Sequence, residues 1–197
     1  MRLLAILLVP LALTACSCST VRQLKPAETV KVDAPTERTR ADDALDYSVA
    51  KTINAPPAAV WKVLIDAPSY TKWNSTIVKL DGTIALGQKL ALVSKDAPER
   101  TFDLTVSTLD APKRMVWEDG GAMFLGVRNF TLIPSADGAS TTFVMSETFS
   151  GGMLGMIEGE LPDFTQSFDA FAADLKTTVE AAHPGSNPIP ASPVAAP

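Results

Sequence analysis

Few side chains in this 197-residue chain are equipped for covalent or acid–base chemistry. The sole histidine, His183, opens a tail rich in Pro and Ala, and the only two cysteines, Cys16 and Cys18, lie near the other end. The region between them offers no imidazole or thiolate for proton transfer, nucleophilic attack or metal ligation, and its serines have no histidine partner. No metal or cofactor is expected. Acid–base work would fall to Glu147, Asp103, Glu118, Tyr47 or Tyr70, and nothing in their spacing brings two of them together.

One charge pair is more specific. Asp137-Gly138 favours a two-residue type I′ hairpin turn, whose twist matches the flanking strands. A hairpin centred there sets Ile133 opposite Thr142, Leu132 opposite Phe143, Phe130 opposite Met145 and Arg128 opposite Glu147. The last three pairs share one largely apolar face. A charge pair on an apolar wall is costly to desolvate unless its members satisfy each other. Arg128 or Glu147 could meet the polar end of a greasy ligand, or the two could simply neutralise each other. Met115 and Trp117 alternate onto the same side of a middle strand, so Trp117 is expected to line whatever space lies there, whereas Trp61 and Trp73 read as core.

Two connections are apolar for loops, which normally face water. Residues 120–126 hold Met123 and Phe124, and residues 151–157 hold Met153, Leu154 and Met156, each set flanked by glycines. They are expected either to gate a cavity mouth, with some contact to a bilayer, or to plug the end of the core. The glycines do not form a phosphate loop, since no strand–glycine–helix unit or lysine accompanies them.

The elements that position these residues follow from two periods. Tyr47 to Ile53 alternates as a strand, and Asn54-Ala55-Pro56-Pro57 stops it and starts a helix running to about Asp66. Tyr70 to Asn74 reads as one further helical turn. Strands are expected at Ile77–Leu80, Lys89–Val93, Arg100–Leu109, Arg114–Glu118, Val127–Ile133 and Thr141–Phe149, joined by connections too short for parallel crossovers. Leu161, Phe164, Phe168, Phe171, Ala172, Leu175 and Val179 then step by three and four along a long amphipathic helix.

That order resembles the START-like, or helix-grip (SRPBCC), superfamily. The wording Ala58-Ala59-Val60-Trp61-Lys62-Val63-Leu64 with Trp73-Asn74, Pro112-Lys113-Arg114-Met115-Val116-Trp117, and Ser146-Glu147-Thr148-Phe149-Ser150-Gly151 is similar to its polyketide cyclase/dehydrase-type branch. The resemblance covers about Asp46 to Ala182. It implies an α+β fold in which a seven-stranded curved antiparallel sheet wraps a long C-terminal helix, with two short helices after the first strand and an apolar cavity inside. Lipids, polyketides and sterols are typical occupants, and only some members are enzymes.

The ends of the chain address location. Arg2, an apolar stretch from Leu3 to Leu13 and small residues before Cys16 have the layout of an export signal too short to span a bilayer. Leu13-Thr14-Ala15-Cys16 resembles the lipobox of bacterial lipoproteins, which implies cleavage after residue 15 and acylation of Cys16. The alternative is an ordinary secretion signal with a chance cysteine. Ser17 in place of aspartate favours, by the same resemblance, the outer membrane facing the periplasm. Residues 16–45 read as a flexible tether, whose roughly 28 flexible residues reach on the order of 30 Å. Residues 46–182 form the domain and 183–197 a disordered tail. Cys18 could be acylated, oxidised or idle.

A formal net charge of −5 offers no field for gathering phosphate backbones, so no nucleic-acid partner is expected. The expected function is a monomeric, membrane-tethered module binding a hydrophobic small molecule or lipid, as carrier or sensor. The alternatives are an enzyme of the cyclase or dehydratase kind and a structural lipoprotein without a cavity.

Overall fold

The computed structural model describes residues 27–184. The expected leader over 1–15, Cys16, Cys18 and most of the expected tail lie outside the described residues. One antiparallel sheet contains eight strands: β1 (Glu37–Ala41), β2 (Ala44–Ile53), β3 (Ile77–Gly82), β4 (Lys89–Ser94), β5 (Phe102–Asp110), β6 (Arg114–Gly121), β7 (Phe124–Pro134) and β8 (Thr141–Ser150). Their order is β1-β2-β8-β7-β6-β5-β4-β3. Between β2 and β3 the chain forms α1 (Pro57–Leu64) and α2 (Tyr70–Trp73), and after β8 come α3 (Leu154–Ile157) and α4 (Thr165–Ala182).

The expected architecture is present, with one correction. The sheet has eight strands rather than seven, and the extra one, β1, lies inside the stretch read as tether. Its sequence, Glu-Arg-Thr-Arg-Ala, buries no side chain and so carries no apolar alternation. What holds it is the backbone ladder to β2, in which Glu37 opposes Ser48 and Ala41 opposes Ala44, a bond pattern that leaves no mark on hydropathy.

Residues ahead of β1 are also packed. Val30 is buried against Ala50 and Val144 in a small second cluster separate from the main core. The Asp33 carboxylate accepts bonds from the Thr52 N–H and hydroxyl at 3.1 and 2.8 Å. Thr36 donates from both its N–H and its hydroxyl to Asp169 on α4, at 2.8 and 2.6 Å.

The main core lies between the sheet and α4. Phe168, Phe171, Ala172, Leu175 and Val179 of α4 are buried, one side of the helix as the i, i+3, i+4 spacing requires. Phe171 is the hub, with ring contacts to Tyr70, Trp73, Phe130 and Phe143. The helix begins at Thr165, later than its apolar spacing suggests. Pro162 and Asp163 account for this: the Asp163 carboxylate accepts from the Thr165 N–H and hydroxyl, which favours a turn there over a continued helix. Leu161 and Phe164 thereby fall ahead of the helix, Phe164 buried in the core and Leu161 packed against it.

Candidate ligand-binding cavity

Between the concave face of the sheet and the first half of α4 lies a cavity of about 280 Å³, just under the usual range of about 300–1,000 Å³ for small-molecule sites. Its deep wall is apolar, with Leu92, Leu104, Trp117, Met145, Phe168 and Phe171 among the lining residues. Its rim is built from the β4–β5 connection, through Asp96, Ala97, Glu99 and Arg100, and from Glu160, Leu161 and Pro162 ahead of α4.

The β7–β8 register is the one expected: Leu132 opposes Phe143, Phe130 opposes Met145 and Arg128 opposes Glu147. The turn that sets it differs. Asp137 has no positive φ, as a type I′ turn would require, and only Gly138 does, at 69°. The chain makes a wider turn in which the Gly138 N–H bonds Ser135 O and the Ser135 N–H bonds Ser140 O. Both turns share one centre, so the pairing is unchanged.

Arg128 and Glu147 line the cavity and form its charge pair. The guanidinium donates Nε–H and Nη2–H to a single oxygen, Oε2, at 3.0 and 2.5 Å. Arg128 also lies over the Phe168 ring, 5.3 Å from its centroid. Among the described residues neither Nη1 nor Oε1 has a hydrogen-bond partner, so each retains bonding capacity at the cavity wall. Two further polar atoms of lining residues, Trp117 Nε1 and Ser94 Oγ, are buried without a partner among the described residues.

The expected site residues divide. Arg128, Glu147, Trp117, Met145 and Phe124 line the cavity, Phe124 stacked on Phe149 at 5.8 Å. Phe130 does not; it is fully buried against Trp117, Phe143 and Phe171, one layer behind the wall. The methionines do not gather over the mouth: Met123 and Met156 are exposed, Met153 is half-buried, and none of them lines the cavity. Leu154 is buried. Trp61 is core, and Trp73 packs against the core beside Tyr70 and Phe171.

Gly120 and Gly151, one in each apolar loop, serve close approach. Gly151, at φ 116°, would place a Cβ 2.5 Å from Met123 O, and that same carbonyl accepts the Met153 N–H at 2.9 Å. The loops are therefore fastened to each other.

Of the acid–base candidates, Glu118 accepts a bond from the Ser107 hydroxyl and Asp103 is exposed; neither lines the cavity. Tyr70 is fully buried and donates to Leu64 O at 2.6 Å, and burial pushes its ionisation far upward. Tyr47 lies directly across β2–β8 from Glu147, a neighbour that the hairpin register could not reveal. No cluster of His, Cys, Asp and Glu able to hold a metal ion is found among the described residues.

Sequence reasoning also missed the carboxylates of the rim. Asp119 was within reach of it, because it follows Trp117 by two on β6 and so shares its face. Burial raises the Asp119 carboxyl above the usual range; Arg100, 3.9 Å away, opposes the shift and Asp103 adds to it. Asp96 accepts the Ser167 hydroxyl at 2.6 Å, a contact across 71 residues that local pattern cannot show.

Among solved structures, the fold resembles a START superfamily protein from Mycobacterium smegmatis, at 17% identity and a TM-score of 0.52, covering 70% of this chain and 98% of that one. It also resembles a conserved protein of unknown function from Enterococcus faecalis, at 13% identity and a TM-score of 0.54, covering 79% and 82%. A third similar structure is DynU16 of the dynemicin biosynthetic locus, at 19% identity and a TM-score of 0.54, covering 75% of this chain and 51% of that one. Comparison with curated proteins gives no match. The family described as polyketide cyclase/dehydrase and lipid transport matches residues 44–180, from the first residue of β2 almost to the end of α4, and this chain belongs to it.

Proposed function

We propose that this protein is a lipid-anchored periplasmic module that holds a small hydrophobic molecule or lipid in its cavity and carries or senses it. The observation behind this reading is the cavity itself: an apolar chamber whose wall bears one mutually satisfied charge pair with an Nη1 and an Oε1 to spare. Apolar lining with a few orienting polar groups is the usual make-up of a small-molecule site. Anchoring rests on the Leu13-Thr14-Ala15-Cys16 sequence alone.

Gentle extraction followed by native mass spectrometry tests the binding. A co-purified small molecule, displaced when the cavity is filled by Leu104→Trp, is the expected result, and a chain that is empty under every condition overturns it. Cys16→Ser should move the protein out of the membrane fraction.

One observation favours a catalytic reading: two carboxylates, Glu147 and Asp119, line the same cavity, and burial raises Asp119. Turnover of an apolar substrate that Glu147→Gln abolishes would establish that reading.

A further inference from the structure

The charge of the cavity wall is lopsided. Asp96, Glu99, Asp119, Glu147 and Glu160 line it, against only Arg100 and Arg128. Neither lysine nor histidine is among its lining residues. Arg128 is already neutralised by Glu147, and Arg100, exposed at the rim, stacks over Phe102 with its carbon 4.5 Å from the ring centroid. Its nearest approach to Asp119 is 3.9 Å, beyond hydrogen-bond reach. The wall thus holds a half-buried carboxylate whose one close side-chain cation, the exposed Arg100, pairs with it without a hydrogen bond. It also holds Glu147, nine-tenths buried, whose Oε1 accepts no bond among the described residues. Low-dielectric walls lined by one sign of charge concentrate the opposite sign.

We infer that the cavity selects a small amphiphile headed by a protonated amine and discriminates against carboxylate and phosphate heads, with Asp119 as the partner of the amine. This rests on the binding function proposed above. An anionic head would have to pass the rim carboxylates to reach a guanidinium that already has its counter-ion. An ammonium gains at the rim, while its apolar tail lies against Trp117, Met145 and Phe171.

The test uses three probes of one chain length, octylamine, octanol and octanoate, titrated into the full chain with tryptophan emission as the readout. Octylamine should bind about tenfold or more tightly than octanoate, with octanol between them. Asp119→Asn should bring octylamine down to the level of octanol, and a cooperative melting transition of the variant shows that it is folded. Octanoate binding as tightly as octylamine, or Asp119→Asn without effect on the amine, overturns the inference while octanol binding leaves the cavity function standing. Failure of all three probes, with nothing co-purified, overturns both.

Discussion

Arg128 and Glu147 keep only 17% and 11% of their side-chain surface exposed, so neither charge is well solvated without the other. Arg128→Met leaves a carboxylate beside methionine and phenylalanine, and Glu147→Gln leaves the guanidinium with a weaker acceptor. Each should cost about 1–3 kcal/mol in urea unfolding. Arg128→Met/Glu147→Met should lie closer to wild type than Arg128→Met alone, because removing both partners leaves no orphaned charge. Asp119 has the opposite sign. Burial raises its carboxyl, so the folded state holds that proton more tightly than the unfolded chain does. Its contribution to stability therefore falls as pH rises through the carboxylate range. Asp119→Asn should melt higher than wild type near neutral pH and show a shallower pH dependence.

At the scale of elements, α4 is held by aromatic packing and the rim by charges, and the two should fail differently. Phe171 is buried and touches four other aromatic rings. Phe171→Ala should cost about 3–5 kcal/mol in chemical denaturation and enlarge the cavity it lines. The segment between β8 and α4 is fastened to the N-terminal edge strand through Glu158, which receives Arg38 at 3.2 Å and Arg40 at 2.6 Å. The Arg40 hydrogen bond is the main cause holding the Glu158 carboxyl below its usual range. A depressed acid stabilises above its unfolded value and loses that contribution as pH falls through its folded value. Below the usual glutamate range the β1 amides should exchange with solvent faster while those of β8 stay protected, which hydrogen exchange measured across pH would show.

For the molecule as a whole, β1 and the described residues before it make residues 27–41 of the expected tether part of the domain: Thr36 is bonded to α4, and Arg38 and Arg40 to the segment flanking the cavity rim. Replacing Thr36 by Val removes the hydroxyl bond to Asp169 and should loosen residues 27–41 to proteolysis without lowering the melting of the sheet. The sequence alone determined the architecture from β2 to α4, because strand alternation, helix periodicity and turn residues are local properties that tertiary contacts here reinforce. It also determined the Arg128–Glu147 pairing, since the hairpin register depends only on where the turn is centred. Tertiary structure alone decided the rest. The exposed, charged strand β1 is held by backbone bonds and by partners more than a hundred residues away, which no window of sequence contains. The separation of Phe130 from the wall, the outward turn of Met123 and Met156, and the gathering of rim carboxylates from β4–β5, β6 and the approach to α4 depend on how the sheet curves over the helix. Curvature is a property of all the strands together, and it sets which inward residues meet a neighbour and which meet open space.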